Sequence, residues 1–251
     1  MAILYGIHAV EQALAAGRPL ERLLVARGRA RIGPGGGRIE QLVLAARAAN
    51  TPVRLVDREE LDRLAGTDKH QGVVAVGGTR KYLDLEDLLK TAAAPALFLL
   101  LDGVEDPRNL GSILRTAYCA GASGVILPER RAAGVTPAAE KVSAGASEHL
   151  PVARVVNLGR AIERLKETGC WLVGLDERAE KDFTQVDYRG PVGLVLGGEG
   201  KGLHEHVRAK CDFVVSIPTT GAIRSLNVSV AAGVVLYEVR RQRRATKEKK
   251  G

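Results

Sequence analysis

From Leu97 onward the chain alternates short apolar runs with segments of helical spacing, and this alternation constrains the fold more than any other feature. Leu97–Leu101, Gly124–Leu127, Val152–Val156, Trp171–Leu175, Val192–Leu196 and Phe213–Ile217 read as strands. Between and after them, Leu110–Ala120, Pro137–Ala144, Leu158–Thr168, His204–Lys210 and Val228–Arg241 read as helices. Near-continuous apolar strands separated by helices predict an α/β fold: a mostly parallel sheet with helices on both faces. Ligands of such folds bind outside the carboxyl ends of the strands. The loops that follow Leu101, Leu196 and Ile217 are therefore where function is expected.

The first 76 residues read as a small α/β unit. Helices are expected at Ile7–Ala16, Ile39–Ala49 and Glu59–Leu64, with strands at Leu23–Ala26, Val53–Val56 and Gly72–Val76. Residues 77–95 read as a linker that includes a short Leu-rich helix and ends at Pro95. A second domain is then expected over 96–242, and a basic tail over 243–251.

The net charge of +8 is unevenly placed. From Arg240 to Lys250 there are seven Lys or Arg and one acid, and the first 80 residues also carry a basic excess. Basic extremities around a near-neutral body suit a polyanionic partner, although a solvated tail has the same composition. Arg27, Arg29, Arg31 and Arg38 frame a glycine-rich stretch with no acid. That stretch is either a flexible connection or a set of guanidinium groups that grip phosphates. Cys119, Cys170 and Cys211 lack paired spacing, so buried thiols in a reducing cytoplasm are expected, not disulfides or a metal site. No apolar run approaches the length of a membrane span, and Met1-Ala-Ile-Leu-Tyr does not read as a signal peptide.

Three stretches carry candidate chemistry. Asp102, Asp106, Asn109 and Arg115 lie at and after the end of the first strand of the second domain, where Asn109 reads as a helix N-cap. Gly193-Leu-Val-Leu-Gly-Gly-Glu-Gly-Lys-Gly-Leu203 is a strand entering a glycine loop, but it fits neither the phosphate-loop nor the dinucleotide spacing. Glu199 within it would repel a phosphate, so it is expected to accept hydrogen bonds or orient other groups. Ile217-Pro-Thr-Thr-Gly-Ala-Ile-Arg-Ser-Leu-Asn-Val-Ser-Val230 is a strand emptying through a loop onto a helix, with Ser225 and Asn227 where N-caps stand.

In order and spacing these blocks closely resemble motifs one to three of the SpoU/TrmH methyltransferases. They are Asp106-Pro-Arg-Asn-Leu-Gly with Arg115-Thr-Ala, then Leu196-Gly-Gly-Glu-Gly-Lys-Gly-Leu, then Ile217-Pro with Ser225-Leu-Asn-Val-Ser-Val. That family, part of the SPOUT superfamily, methylates ribose 2′-hydroxyls in RNA. Leu4-Tyr-Gly-Ile-His-Ala-Val-Glu and His70-Gln-Gly-Val-Val-Ala resemble an RNA substrate-binding domain similar to ribosomal protein L30e. Bacterial methyltransferases acting on a guanosine of 23S ribosomal RNA carry such a domain.

The resemblance implies a trefoil knot in the C-terminal part of the sheet, a homodimer, and S-adenosylmethionine as cofactor. It places Leu196, Gly197, Gly198, Ile217, Ser225 and Leu226 against that cofactor. It makes Arg115 the central catalytic residue, with Asn109, Glu199, Ser225 and Asn227 around it. Arg27, Arg29, Arg31, Arg38 and Arg108 are expected to contact RNA. Two alternatives stay open on these residues: a transfer RNA 2′-O-methyltransferase, and a non-catalytic RNA-binding or ribosome-assembly protein on the same fold.

Overall fold

The computed structural model describes residues 2–28, 37–77, 82–200, 202–220 and 225–248. The chain forms two compact units, one of residues 1–81 with 135–149 and the other of 82–134 with 150–251.

The first unit is a four-stranded sheet, β1 (Ala2–Tyr5), β2 (Leu20–Ala26), β3 (Val53–Val56) and β4 (Val73–Gly77), in the order β1-β4-β2-β3. Only β2 and β3 run parallel. Central β4, Val-Val-Ala-Val-Gly, is buried at every position because both of its faces are covered. Helices α1 (Ile7–Ala15) and α2 (Arg38–Ala48) pack Val10 and Leu42 on the Leu23, Val25 and Ala75 face. Helix α3 (Arg58–Ala65) sets Leu61 on the Leu24, Val74 and Val76 face. The sequence reading has no counterpart of β1, whose four residues are too few to show a period.

The excursion 135–149, expected within the second domain, belongs to this first unit. It holds α6 (Pro137–Ser143) and α7 (Ala146–His149). The Arg18 guanidinium is buried between Glu140 at 2.7 Å and Glu148 at 2.8 Å, and Gln12 meets His149 at 2.7 Å.

The second unit is built on six parallel strands. They are β5 (Leu97–Asp102), β6 (Gly124–Pro128), β7 (Val152–Val155), β8 (Trp171–Leu175), β9 (Val192–Gly197) and β10 (Phe213–Val215), in the order β10-β8-β9-β5-β6-β7. Strand β9 is thus inserted between β8 and β5. Its carboxyl end comes to lie beside that of the strand on which the domain begins, paired as Asp102 with Gly197. Helix α8 (Leu158–Glu167) covers one face with Ile162 and Leu165, joined by Val207 of the one-turn α9 (Glu205–Arg208). Helices α5 (Pro107–Ala120) and α10 (Val228–Glu248) pack against each other, and α10 also meets β9.

Three expectations are corrected here. The 77–95 segment is more than a connection: α4 (Leu85–Thr91) buries Leu88 completely in the second core, and Leu83 exchanges backbone hydrogen bonds with Val152 and Arg154. The helix expected to end near Arg241 runs on to Glu248. Arg243, assigned to the tail, donates to the carbonyls of Pro95, Ala96, Tyr188 and Gly190 at 2.8–3.1 Å. That burial lowers the Arg243 pKa. Cys119 is exposed, while burial pushes the Cys170 and Cys211 thiols up to about 12. No helix among the described residues is long and apolar enough to cross a membrane.

Candidate active site

Because β8, β9 and β10 all point the same way, the loops leaving them converge at one edge of the second unit. They enclose a cavity of about 670 Å³, within the range of small-molecule sites. Leu175, Val215, Ile217 and Leu226 give it apolar walls, and Asp176, Glu199 and Asn227 give it polar ones. All six residues expected at the cofactor, Leu196, Gly197, Gly198, Ile217, Ser225 and Leu226, line it.

The glycines of the β9 loop are there for space and conformation. A Cβ on Gly197 would sit 2.0 Å from the Gly202 carbonyl carbon, and one on Gly198 would sit 1.9 Å from the Gly103 carbonyl oxygen. Gly200 and Gly202 have φ of 80° and 63°, the left-handed region that glycine occupies at no steric cost. The backbone therefore folds back tightly beside β5, and only hydrogen atoms fit between the turns.

Three side chains from three elements meet at the rim. Asn227 caps α10: its Oδ1 accepts from the Ser229 N–H at 2.9 Å and from the Ser229 hydroxyl at 2.6 Å. With the oxygen committed to the helix, the amide nitrogen of Asn227 faces the other way. It donates to Asn109 Oδ1 at 3.1 Å and reaches Glu199 Oε1 at 3.5 Å. Asn109 is oriented in turn, and its own amide nitrogen donates to Glu199 Oε1. The direction of this relay follows from the capping requirement and ends on the Glu199 carboxylate.

Asn109 is therefore not the N-cap that its sequence position suggested. Asp106 caps α5, accepting from the Arg108 N–H at 2.9 Å with Pro107 in the first turn, and Asn109 is buried one turn in. Ser225 is exposed, two residues before the cap that Asn227 makes. Arg115 is exposed on α5, and its side chain has no hydrogen bond or ion pair among the described residues. It does not line the cavity, and neither does Asn109. Arg108 is exposed in the first turn of α5.

The remaining expected RNA contacts belong to the first unit. Arg27 is exposed and stands 3.6 Å from Asp57. Arg38 is held by Glu11 at 2.6 Å and lies against both ring nitrogens of His8. A neutral imidazole has one acceptor nitrogen, so at most one of those two His8 contacts is a hydrogen bond. Arg29 and Arg31 lie outside the described residues.

The sequence reading missed Asp176 and Arg178, which follow β8 at the cavity wall. Asp176 is buried, accepts from the Arg178 backbone and guanidinium at 2.7–2.9 Å, and stands 3.3 Å from Arg208. The hydrogen bonds from Arg178 hold its carboxyl below the usual value of 3.8. The available signal was position alone, an acid immediately after a parallel strand. Among the described residues no cluster of His, Cys, Asp or Glu could hold a metal.

The SpoU rRNA methylase family model matches residues 96–237, and a model of RNA 2′-O ribose methyltransferase substrate-binding domains matches 3–83. A TrmH family tRNA/rRNA methyltransferase of Bacillus subtilis, YacO, is 44% identical over 95% of this chain and 94% of its own length. The 23S rRNA (guanosine-2′-O-)-methyltransferase RlmB of Coxiella burnetii is 45% identical over 96% of both chains. The crystal structure of the SpoU methyltransferase AviRb of Streptomyces viridochromogenes with AdoMet superposes with a TM-score of 0.82 at 30% identity, covering 97% of this chain and 90% of that one. With a family match over more than half its length and relatives aligned nearly end to end, this chain belongs to the SpoU rRNA methylase family.

Proposed function

We propose that the protein transfers a methyl group from S-adenosylmethionine to the 2′-hydroxyl of a guanosine ribose in 23S ribosomal RNA. The observation that carries this reading is the Asn109–Glu199–Asn227 relay at the rim of the glycine-lined cavity. The cavity fits the cofactor. Its apolar walls suit an adenine, and its glycine loop lets backbone approach closely where a Cβ could not be placed. Leu196, Gly197, Gly198, Ile217, Ser225 and Leu226 would hold S-adenosylmethionine, which when bound supplies an electrophilic sulfonium methyl group. The match to the Coxiella burnetii relative runs through both units, and this favours the ribosomal substrate named for that protein.

The chain's own residues then have to place the hydroxyl and help it lose its proton, and positioning alone lowers such barriers by several kcal/mol. Arg115 is poorly suited to be the base, because a guanidinium carries five N–H donors and no acceptor. In this reading it holds the phosphate next to the target ribose through paired N–H donors, and that phosphate takes the hydroxyl proton. Asn109, Glu199 and Asn227 fix the two cofactor loops relative to α5, which carries Arg115. Arg115→Lys, keeping charge and losing the paired donors, is expected to lower turnover sharply; near-normal turnover would refute the clamp.

The same reading includes a trefoil knot, a first unit similar to ribosomal protein L30e that contacts RNA, a cytoplasmic location and a homodimer. The exposed Tyr118, Val230, Val234 and Tyr237 on paired α5 and α10 support a second copy packing there. The deciding experiment is transfer of labelled methyl groups to protein-free 23S ribosomal RNA and, separately, to bulk transfer RNA. One labelled guanosine ribose in 23S RNA is the expected result. Label in transfer RNA alone would overturn the substrate. No label in either RNA and no cofactor binding would overturn the enzyme reading in favour of a non-catalytic RNA-binding protein.

A further inference from the structure

The edge of the parallel sheet that carries the cofactor cavity also carries a second hollow, beyond the Gly198–His204 loop. It has a volume of about 160 Å³ and opens at the ends of β5, β6 and β7, among Asp102, Arg130, Arg131, Asn157, His204 and His206. It shares no lining residue with the larger cavity. Such a volume equals that of about five liquid waters. It is small for a nucleoside and sufficient for one phosphate.

The groups around it are set up for an anion. Arg130 and Arg131 are exposed, and neither has a hydrogen bond or ion pair among the described residues. Arg131 is held at φ 58°, a left-handed conformation that a long side chain seldom adopts. The acid at the wall, Asp102, is buried and occupied: one oxygen accepts the His204 backbone N–H at 2.8 Å, and the other meets the His204 Nδ1 at 3.0 Å. That pairing fixes the His204 ring, with Nε2 left as its unbonded nitrogen. The exposed His206 ring stands 5.8 Å from it. Asn157 caps α8, accepting from the Arg160 N–H at 3.0 Å, so the positive end of a ten-residue helix dipole adds to the field here.

We propose that this hollow is a phosphate subsite for the substrate RNA, with Arg130 and Arg131 gripping a backbone phosphodiester. The proposal rests on the reading of the chain as an RNA methyltransferase. In the sheet order the end of β8 is three strand positions from the end of β6, on the order of 14 Å at about 4.8 Å per strand. The hollow is thus clear of the cofactor-cavity wall that Asp176 forms after β8.

The test compares the wild-type chain with Arg130→Ala/Arg131→Gly, glycine being chosen because it accepts the backbone angle at 131. Affinity for protein-free 23S ribosomal RNA is measured over a range of salt concentrations, alongside S-adenosylmethionine affinity. The expected result is a Kd for RNA raised about tenfold or more, and a salt slope reduced by about 0.7, the value for one phosphate contact on a single strand. Cofactor affinity is expected to stay at the wild-type value. Unchanged RNA affinity and slope would overturn the subsite. If the double variant also loses cofactor affinity, Arg130→Gln/Arg131→Gln, which keeps most of each side-chain stem, decides on the same two readouts. Wild-type chain that binds RNA but methylates none would refute the enzymatic reading and leave these binding readouts intact.

Discussion

Replacing Asn227 by Asp changes one function of this residue and spares the other. The cap on α10 survives, because Asp accepts the Ser229 N–H as well as Asn does and the two rank equally as N-caps. The amide nitrogen that serves Asn109 and Glu199 becomes a carboxylate oxygen, so two donations are lost at roughly 1 kcal/mol each. A negative charge is also placed 3.5 Å from Glu199 Oε1, where the original donor stood. Both side chains are exposed, so water screens this repulsion to about 1 kcal/mol. The sum, roughly 3 kcal/mol, corresponds to about two orders of magnitude in rate if the relay must be closed in the transition state. Asn227→Ala loses the donations and the cap, about 1 kcal/mol more of helix stability, but adds no repulsion. The assay is methyl transfer from labelled S-adenosylmethionine, paired with urea denaturation of each variant. The expected pattern is that Asp is worse for activity and Ala worse for stability. An Asp variant with more than half of wild-type turnover would refute the argument that the relay orders the site.

Four further outcomes are expected. Gly198→Ala, whose Cβ would lie 1.9 Å from the Gly103 oxygen, should abolish cofactor binding measured by calorimetry. Gly200→Ala, with nothing within 4 Å of its Cβ but a φ of 80°, should cost only about 1–2 kcal/mol of backbone strain. Arg18→Met removes the guanidinium held between the buried carboxylates of Glu140 and Glu148, and should destabilise the first unit by about 3–5 kcal/mol, read as a lowered denaturation midpoint. Asp176 has a lowered folded pKa, so its charged form contributes stability that is fully present above the ordinary value of 3.8 and is lost as pH falls through the folded value. Wild-type chain should accordingly lose more stability on acidification below about pH 4 than Asp176→Asn, and parallel losses would refute that assignment.

The alternation of apolar runs and helices was enough to read the parallel sheet, and most element boundaries fell within a few residues of those observed. That legibility has a local cause: a strand covered on both faces must be apolar throughout, and its flanking loops must break the pattern. Where two local signals competed, reading failed. Asn109 looked like a cap, but Asp106 before Pro107 was the better-placed acceptor. Contacts with distant partners were not legible. Leu88 was read in a linker although it is fully buried, because a short amphipathic helix does not announce which sheet it covers. Arg243 was read as tail because nothing near it in sequence shows that four carbonyls await it. Residues 135–149 were read with the second domain, and the buried pairs of Arg18 with Glu140 and Glu148 span 122 and 130 residues.

By itself the sequence determined which residues carry functional groups: the glycine loop, the carboxylate within it, the asparagines at helix starts and the arginine further along α5. Only the tertiary structure decided which of them act on one another. Inserting β9 beside β5 brings Glu199 to Asn109 across 90 residues, and Asn227 to Asn109 across 118. Sheet order is set by the burial of whole strands, and no local spacing encodes it.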